Sequence, residues 1–242
     1  MEAPPEPIPS DDSPKKPSGI PSVFNLLQRT QKYSAYAFGS FAGMHLSSVI
    51  LAPIVSPSLG DDMILFFRTF YQSTLGEPLL IFGTVALHLL SGFILRILRA
   101  RNSGKRGFYK AVTSTTALQK SGMLLTMLVV PHFLATRGAA LFRLGDSSAI
   151  NLGFIQYKLD SWLPAISMVL LAATYTYHSV AGIGMWQRLR LTMKDRFKAV
   201  GIVALLATVA LLRIRGMPAA TGWQLEQYKI AAPFFPQLNE IL

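Results

Sequence analysis

SWLPAISMVLLAATYTYHSVAGIGMW, residues 161–186, runs for 26 residues without an acidic side chain, a lysine or an arginine. As an α-helix it would be about 39 Å long, more than the roughly 30 Å of a bilayer's hydrocarbon. A helix satisfies its backbone N–H and C=O groups within one segment, so this stretch reads as a transmembrane helix. His178 stands inside it.

Working outward, comparable apolar runs occupy residues 33–56, 78–98, 118–135 and 199–214. The last is short unless it extends toward Met217. Half the chain (51%) is hydrophobic, 14% is charged and the mean hydropathy is +0.38, which no ordinary soluble domain matches. The expected fold is therefore all-α: a polytopic membrane helical bundle with five transmembrane helices at residues 31–216. A disordered proline-rich tail at 1–30 precedes it and an interfacial segment at 217–242 follows it. MILFFRTFY, residues 63–71, is too short to cross and carries Arg68, so it should lie along the interface. The C-terminal segment mixes Trp223, Tyr228, Phe234 and Phe235 with Gly222, Pro233 and Pro236, the composition of an interfacial anchor.

Basic residues set the expected orientation. Five spans put sixteen of the 23 lysines and arginines on the side of the N-terminus. The other side keeps Arg68, Arg137, Arg143, Lys158, Arg213, Arg215 and Lys229. That bias places the N-terminus in the cytosol. The formal charge of +11 then serves topology, and no nucleic-acid binding is expected.

All four histidines, His45, His88, His132 and His178, fall inside apolar runs, one per run. An imidazole in hydrocarbon is costly without a partner and marks a functional site by default. Followed from the cytosol, His45 and His132 lie past the midplane, while His88 and His178 lean to the cytosolic side. Depth thus couples His45 with His132 and His88 with His178. A spacing argument agrees: 87 residues separate the first couple and 90 the second, and both His88 and His178 begin an H-x-x-x-G. A duplicated two-helix unit produces this pattern. Two facing couples are what two sandwiched haems require, with all four histidines as iron ligands. The chain has no cysteine, so any haem would be b-type, held by ligands and packing. The alternative is single histidines hydrogen-bonding between helices. Gly92 and Gly182, one turn past their histidines, would let a macrocycle approach, and Gly39 and Gly43 form a G-x-x-x-G before His45. Arg96, Arg99, Arg188, Arg137 and Arg143 at helix ends are candidate propionate partners or plain interfacial anchors.

Residues 1–22 hold seven prolines and four acidic residues, so no core can form and polyproline II bias is expected. The tail lacks both an Arg-rich, acid-poor presequence and an apolar signal region. Within it Pro5, Pro7 and Pro9 form two overlapping P-x-P units around Glu6 and Ile8. Such pre-extended prolines dock on a groove or sheet edge at low entropic cost.

A P-x-P tail followed by five spans, with histidines in the first four, resembles the fungal Mdm-ten-complementing protein family of the mitochondrial outer membrane. The resemblance covers Pro4 to about Ile214 and rests on motif order. The membrane part also resembles the haem-carrying cytochrome b anchors of succinate dehydrogenase and fumarate reductase. The family resemblance implies that Pro5, Pro7 and Pro9, with Ile8 as apolar contact, recruit a chorein-type bridge lipid-transfer protein through its adaptor-binding domain. It further implies a place at mitochondrial contact sites and an association with lipid scrambling, since lipid delivered to one leaflet must equilibrate with the other. Enzyme chemistry is not expected: no phosphate loop, H-E-x-x-H or G-x-S-x-G setting is present. Asp61 and Asp62 read as a solvated pair. The remaining alternative is a dihaem cytochrome b subunit that carries electrons.

Overall fold

Long apolar helices dominate the computed structural model, which describes residues 23–102 and 115–232. Five are long and apolar enough to cross a membrane, and the described residues contain no strand. Helix α1, Val23–Leu46, continues through a π-helical turn at Ser47–Leu51 into α2, Ala52–Val55, as one 33-residue span. Pro57–Tyr71 folds back as α3. The second span enters through a π-helical segment, Glu77–Gly83, and becomes α4, Thr84–Asn102. The third is α5, Ala117–Phe133, extended by a π-helical turn, Leu134–Gly138, and α6, Ala139–Leu144. A short α7, Leu152–Lys158, leads into the fourth span, α8, Trp162–Trp186. The fifth is α9, Met193–Arg215, followed by α10, Gly222–Ala231.

The fifth span is longer than its apolar run because a capping box starts it early. Thr192 Oγ1 accepts from the Asp195 N–H, and the Asp195 carboxylate accepts from the Thr192 N–H. Lys194, Arg196 and Lys198 then ride on its first turns. The third span starts the same way, with Thr116 and Gln119.

Packing is uneven around the bundle. The first span packs along the second, the third along the fourth, and the fourth along the fifth, while α2 and the Ser47–Leu51 turn reach the fifth. Ile50, Ala172, Ala207 and Ala210 make a small-residue core among the first, fourth and fifth spans. Among the described residues, the first and third spans share no extended backbone contact, and neither do the second and fourth. Side chains bridge those two gaps.

Short helices gather at one end as a cap. Asp61 Oδ1 accepts from the Leu152 N–H at 2.8 Å, and Asn151 Oδ1 from the Phe154 N–H at 2.9 Å, so both side chains cap the start of α7. Asp61 is thus half-buried rather than solvated, and burial raises its carboxyl above the usual carboxylate range. Arg68 of α3 donates to the backbone carbonyls of Ser147 and Ile150. The segment at 63–71 therefore does not cross; it is pinned to the cap, with Leu65, Phe66 and Phe70 exposed on its other side. Helix α10 sinks Tyr228 against Ile150 and Phe154, where its hydroxyl donates to Asn151 Oδ1 at 2.6 Å. Of the expected C-terminal anchor, Trp223 is exposed, and Phe234 and Phe235 lie outside the described residues.

Candidate functional site: two facing histidine couples

The four imidazoles close the two gaps in the packing. His45 faces His132 with ring centres 6.1 Å apart and planes at 68°. His88 faces His178 at 6.2 Å and 87°. The partners are those that membrane depth selects. All four side chains are half-buried, turned inward between helices rather than sealed in solid packing.

Second contacts fix two of the rings. Nδ1 of His88 lies 3.1 Å from the Gln31 carbonyl oxygen, and an oxygen that can only accept makes this nitrogen the N–H. Nδ1 of His178 lies 3.1 Å from Ser121 Oγ, whose own proton goes to the Leu118 carbonyl. That nitrogen is the donor as well. Both rings are thereby held as the tautomer that leaves Nε2 with a free lone pair, the arrangement found behind metal-ligating histidines. His45 is oriented differently, stacked on Phe41 at 5.6 Å and 16°, and Phe41 abuts Tyr71 edge-on.

These contacts expose a repeat deeper than the two H-x-x-x-G motifs. Gln31 precedes His88 by 57 residues, and Ser121 precedes His178 by 57. Two residues beyond His45 begins the five-residue π-helical turn Ser47–Leu51, and two beyond His132 begins the five-residue turn Leu134–Gly138. These spacings are what two copies of one two-span unit running in the same sense would give. Each couple would join equivalent residues of the two copies, which is what a pseudo-two-fold axis along the bundle requires where equivalent residues meet. Along α1, 14 residues separate the Gln31 and His45 levels, and along α5, 11 separate Ser121 from His132. The couples therefore sit about 16–21 Å apart along the bundle.

The glycines divide. A Cβ on Gly182, Gly39 or Gly43 would meet nothing within 4 Å, which leaves room beside those turns. A Cβ on Gly92 would lie 2.8 Å from Gln31 Nε2, so Gly92 admits Gln31 and not a macrocycle. Gly122 seats His178, whose Cε1 would be 2.9 Å from an added Cβ. Gln31, Ser121 and Gly122 carry no signal as site residues in the sequence; the 57-residue spacing emerges only once the contacts are known.

The cations divide too. Arg137 is committed to Glu77 through two bonds of 2.7 and 2.5 Å and also donates to Ser147 Oγ, so it is no propionate partner. Arg99 lies over the Phe24 ring. Instead, Arg68 and Lys158 are within electrostatic reach of His45 and His132 respectively. Lys158 is 9% exposed and donates to the Ala135 carbonyl within the π-helical turn, where the regular helical pairing is broken. Burial lowers its ammonium to about 8. Its unfolded value is near 10.5, so between these values the unfolded chain binds more protons and stability rises with pH. Raising the pH from 7.5 to 9.5 should stabilise the detergent-solubilised protein by about 2 kcal/mol through this lysine. Thermal unfolding of wild type and Lys158→Met across that range checks it: the variant should lose the slope.

Two imidazoles bonded to opposite sides of one metal atom at about 2 Å each have ring centres roughly 6 Å apart. Both couples meet that spacing, and no third His, Cys, Asp or Glu joins either of them among the described residues. The donor set suits an iron whose other four positions are filled by a porphyrin, and not a protein-only zinc site. No protein-family model, curated protein or solved structure matches this chain.

Proposed function

We propose that this chain is a receptor of the mitochondrial outer membrane, N-terminus in the cytosol, that recruits a chorein-type bridge lipid-transfer protein and supports lipid transport at contact sites. Its bundle would be built around two b-type haems. What carries the reading is the order of features: a P-x-P arm, then five spans, the first four of which each carry one histidine and together form two facing couples. Pro5, Pro7, Ile8 and Pro9 lie outside the described residues. His45 with His132 and His88 with His178 would each hold one haem, and Arg68 and Lys158 would receive carboxylates at the first couple. Haem bound there would supply one-electron chemistry; as packing it would fill the space between helix pairs whose described backbones share no extended contact. Scrambling of the delivered lipids fits the same partnership. Deleting residues 4–9 should abolish recruitment of the bridge protein to mitochondria while leaving the bundle in its membrane. Undiminished recruitment would remove the receptor function.

A second reading, an electron-carrying dihaem cytochrome b subunit, is favoured by one observation: the same bundle holds two facing histidine couples at two levels. Reduction of the purified protein by a quinol at a catalytically useful rate would promote it, and inertness toward quinols would leave the haems structural.

A further inference from the structure

An apolar groove of about 400 Å³ runs between the fourth and fifth spans, away from both histidine couples. Its α8 wall is one helical face, from Trp162 through Ile166, Val169 and Leu170 to Ala173. Thr208 on α9 turns its only polar atom back to the Ala204 carbonyl, so the interior presents methyl and methylene groups. At the cap end the groove finishes on Arg215, whose guanidinium carbon lies 4.3 Å from the Trp162 ring centre.

Three features select the occupant. Trp162 opens the fourth span and Arg215 closes the fifth, so both stand at the depth where a bilayer changes from hydrocarbon to headgroups. From Trp162 to Ala173 the wall is 11 residues long, about 16 Å, which is one leaflet's share of a roughly 30 Å core. A crossing partner helix would want a groove twice that length. Finally, the cation stacked at the mouth complements an anion, and its aromatic seat holds the guanidinium over the entrance. We propose that this groove is a binding site for an anionic phospholipid of the cap-side leaflet, with phosphate at Arg215 and an acyl chain along α8 and α9. The site is independent of the haem and recruitment readings, since it shares no residue with either.

Native mass spectrometry of the full chain tests it, with dioleoylphosphatidylglycerol or dioleoylphosphatidylcholine added in detergent. The wild type should retain one phosphatidylglycerol with about fivefold preference over phosphatidylcholine, the worth of one basic residue near a headgroup. Arg215→Gln should erase the preference while keeping residual binding of both lipids. Ala173→Phe, which fills the groove floor, should reduce retention of both; unchanged circular dichroism would confirm that each variant is folded. Equal retention of the two lipids by the wild type, indifference to both substitutions, or a groove occupied by another polypeptide would overturn the site.

Discussion

Replacing His88 and His178 together by alanine is expected, on the two-haem proposal, to halve the haem that purifies with the protein, from two per chain to one. As ligands the couple would act as a unit, because an iron held between two imidazoles would lose its six-coordinate state when either is removed. His178→Ala alone should therefore do nearly the same damage as the double replacement. Gly122→Leu is the indirect version: its side chain would invade the place of His178 Cε1, 2.9 Å from where a Cβ would stand. It should lower haem at this couple without touching a ligand. Ser121→Ala should be milder, freeing Nδ1 of His178 and loosening the ring, in line with the 10–100-fold losses that such outer contacts cost. Pyridine haemochrome assays on each purified variant give the count. Full haem content in the double variant would rule out this couple as a ligand pair.

The second large effect is on stability. Arg137→Ala should cost about 2–3 kcal/mol, somewhat less than a fully buried pair because both side chains keep nearly a fifth of their exposure (19% and 17%). The arginine ties three segments at the cap end: Glu77 at the start of the second span, its own turn in the third, and Ser147 in the loop toward α7. Removing it leaves the Glu77 carboxylate half-desolvated and unpaired. Arg137→Lys should recover little, since a point charge cannot make the two parallel bonds of the guanidinium fork. The double replacement Arg137→Ala with Glu77→Gln should recover part of the loss, because no orphaned charge remains. Thermal unfolding in detergent measures all three. A double variant no more stable than Arg137→Ala alone would mean the pair's charge is not what matters there.

The bundle was legible because membranes leave little choice. Apolar runs with at most one basic residue each give five spans, the fifth once it is extended beyond its apolar run, and residue counts along each give histidine depth, which selects the couples. The half-repeat showed through His88 and His178, but its full extent did not, because Gln31 and Ser121 share a role and not a side chain. One contributes a carbonyl and the other a hydroxyl, and a backbone acceptor leaves no trace in sequence. The cap was harder for a different reason. Its helices α2, α6 and α7 have four to seven residues, too few for a clear period. Long-range bonds such as Arg68 to Ile150 and Asp61 to Leu152, 82 and 91 residues apart, hold it together. Gly92 illustrates the limit of reading small residues: the gap it leaves is real, but the neighbouring helix fills it with Gln31.

Low-temperature electron paramagnetic resonance of the oxidised, purified wild-type chain, with its haem content determined on the same sample, tests haem ligation by the paired imidazoles most directly. Ring planes at 68° and 87° predict two low-spin ferric signals of the strongly anisotropic kind that crossed axial imidazoles give, one per couple. A protein that purifies without haem, or whose iron is high-spin and five-coordinate, would contradict haem ligation by these couples outright.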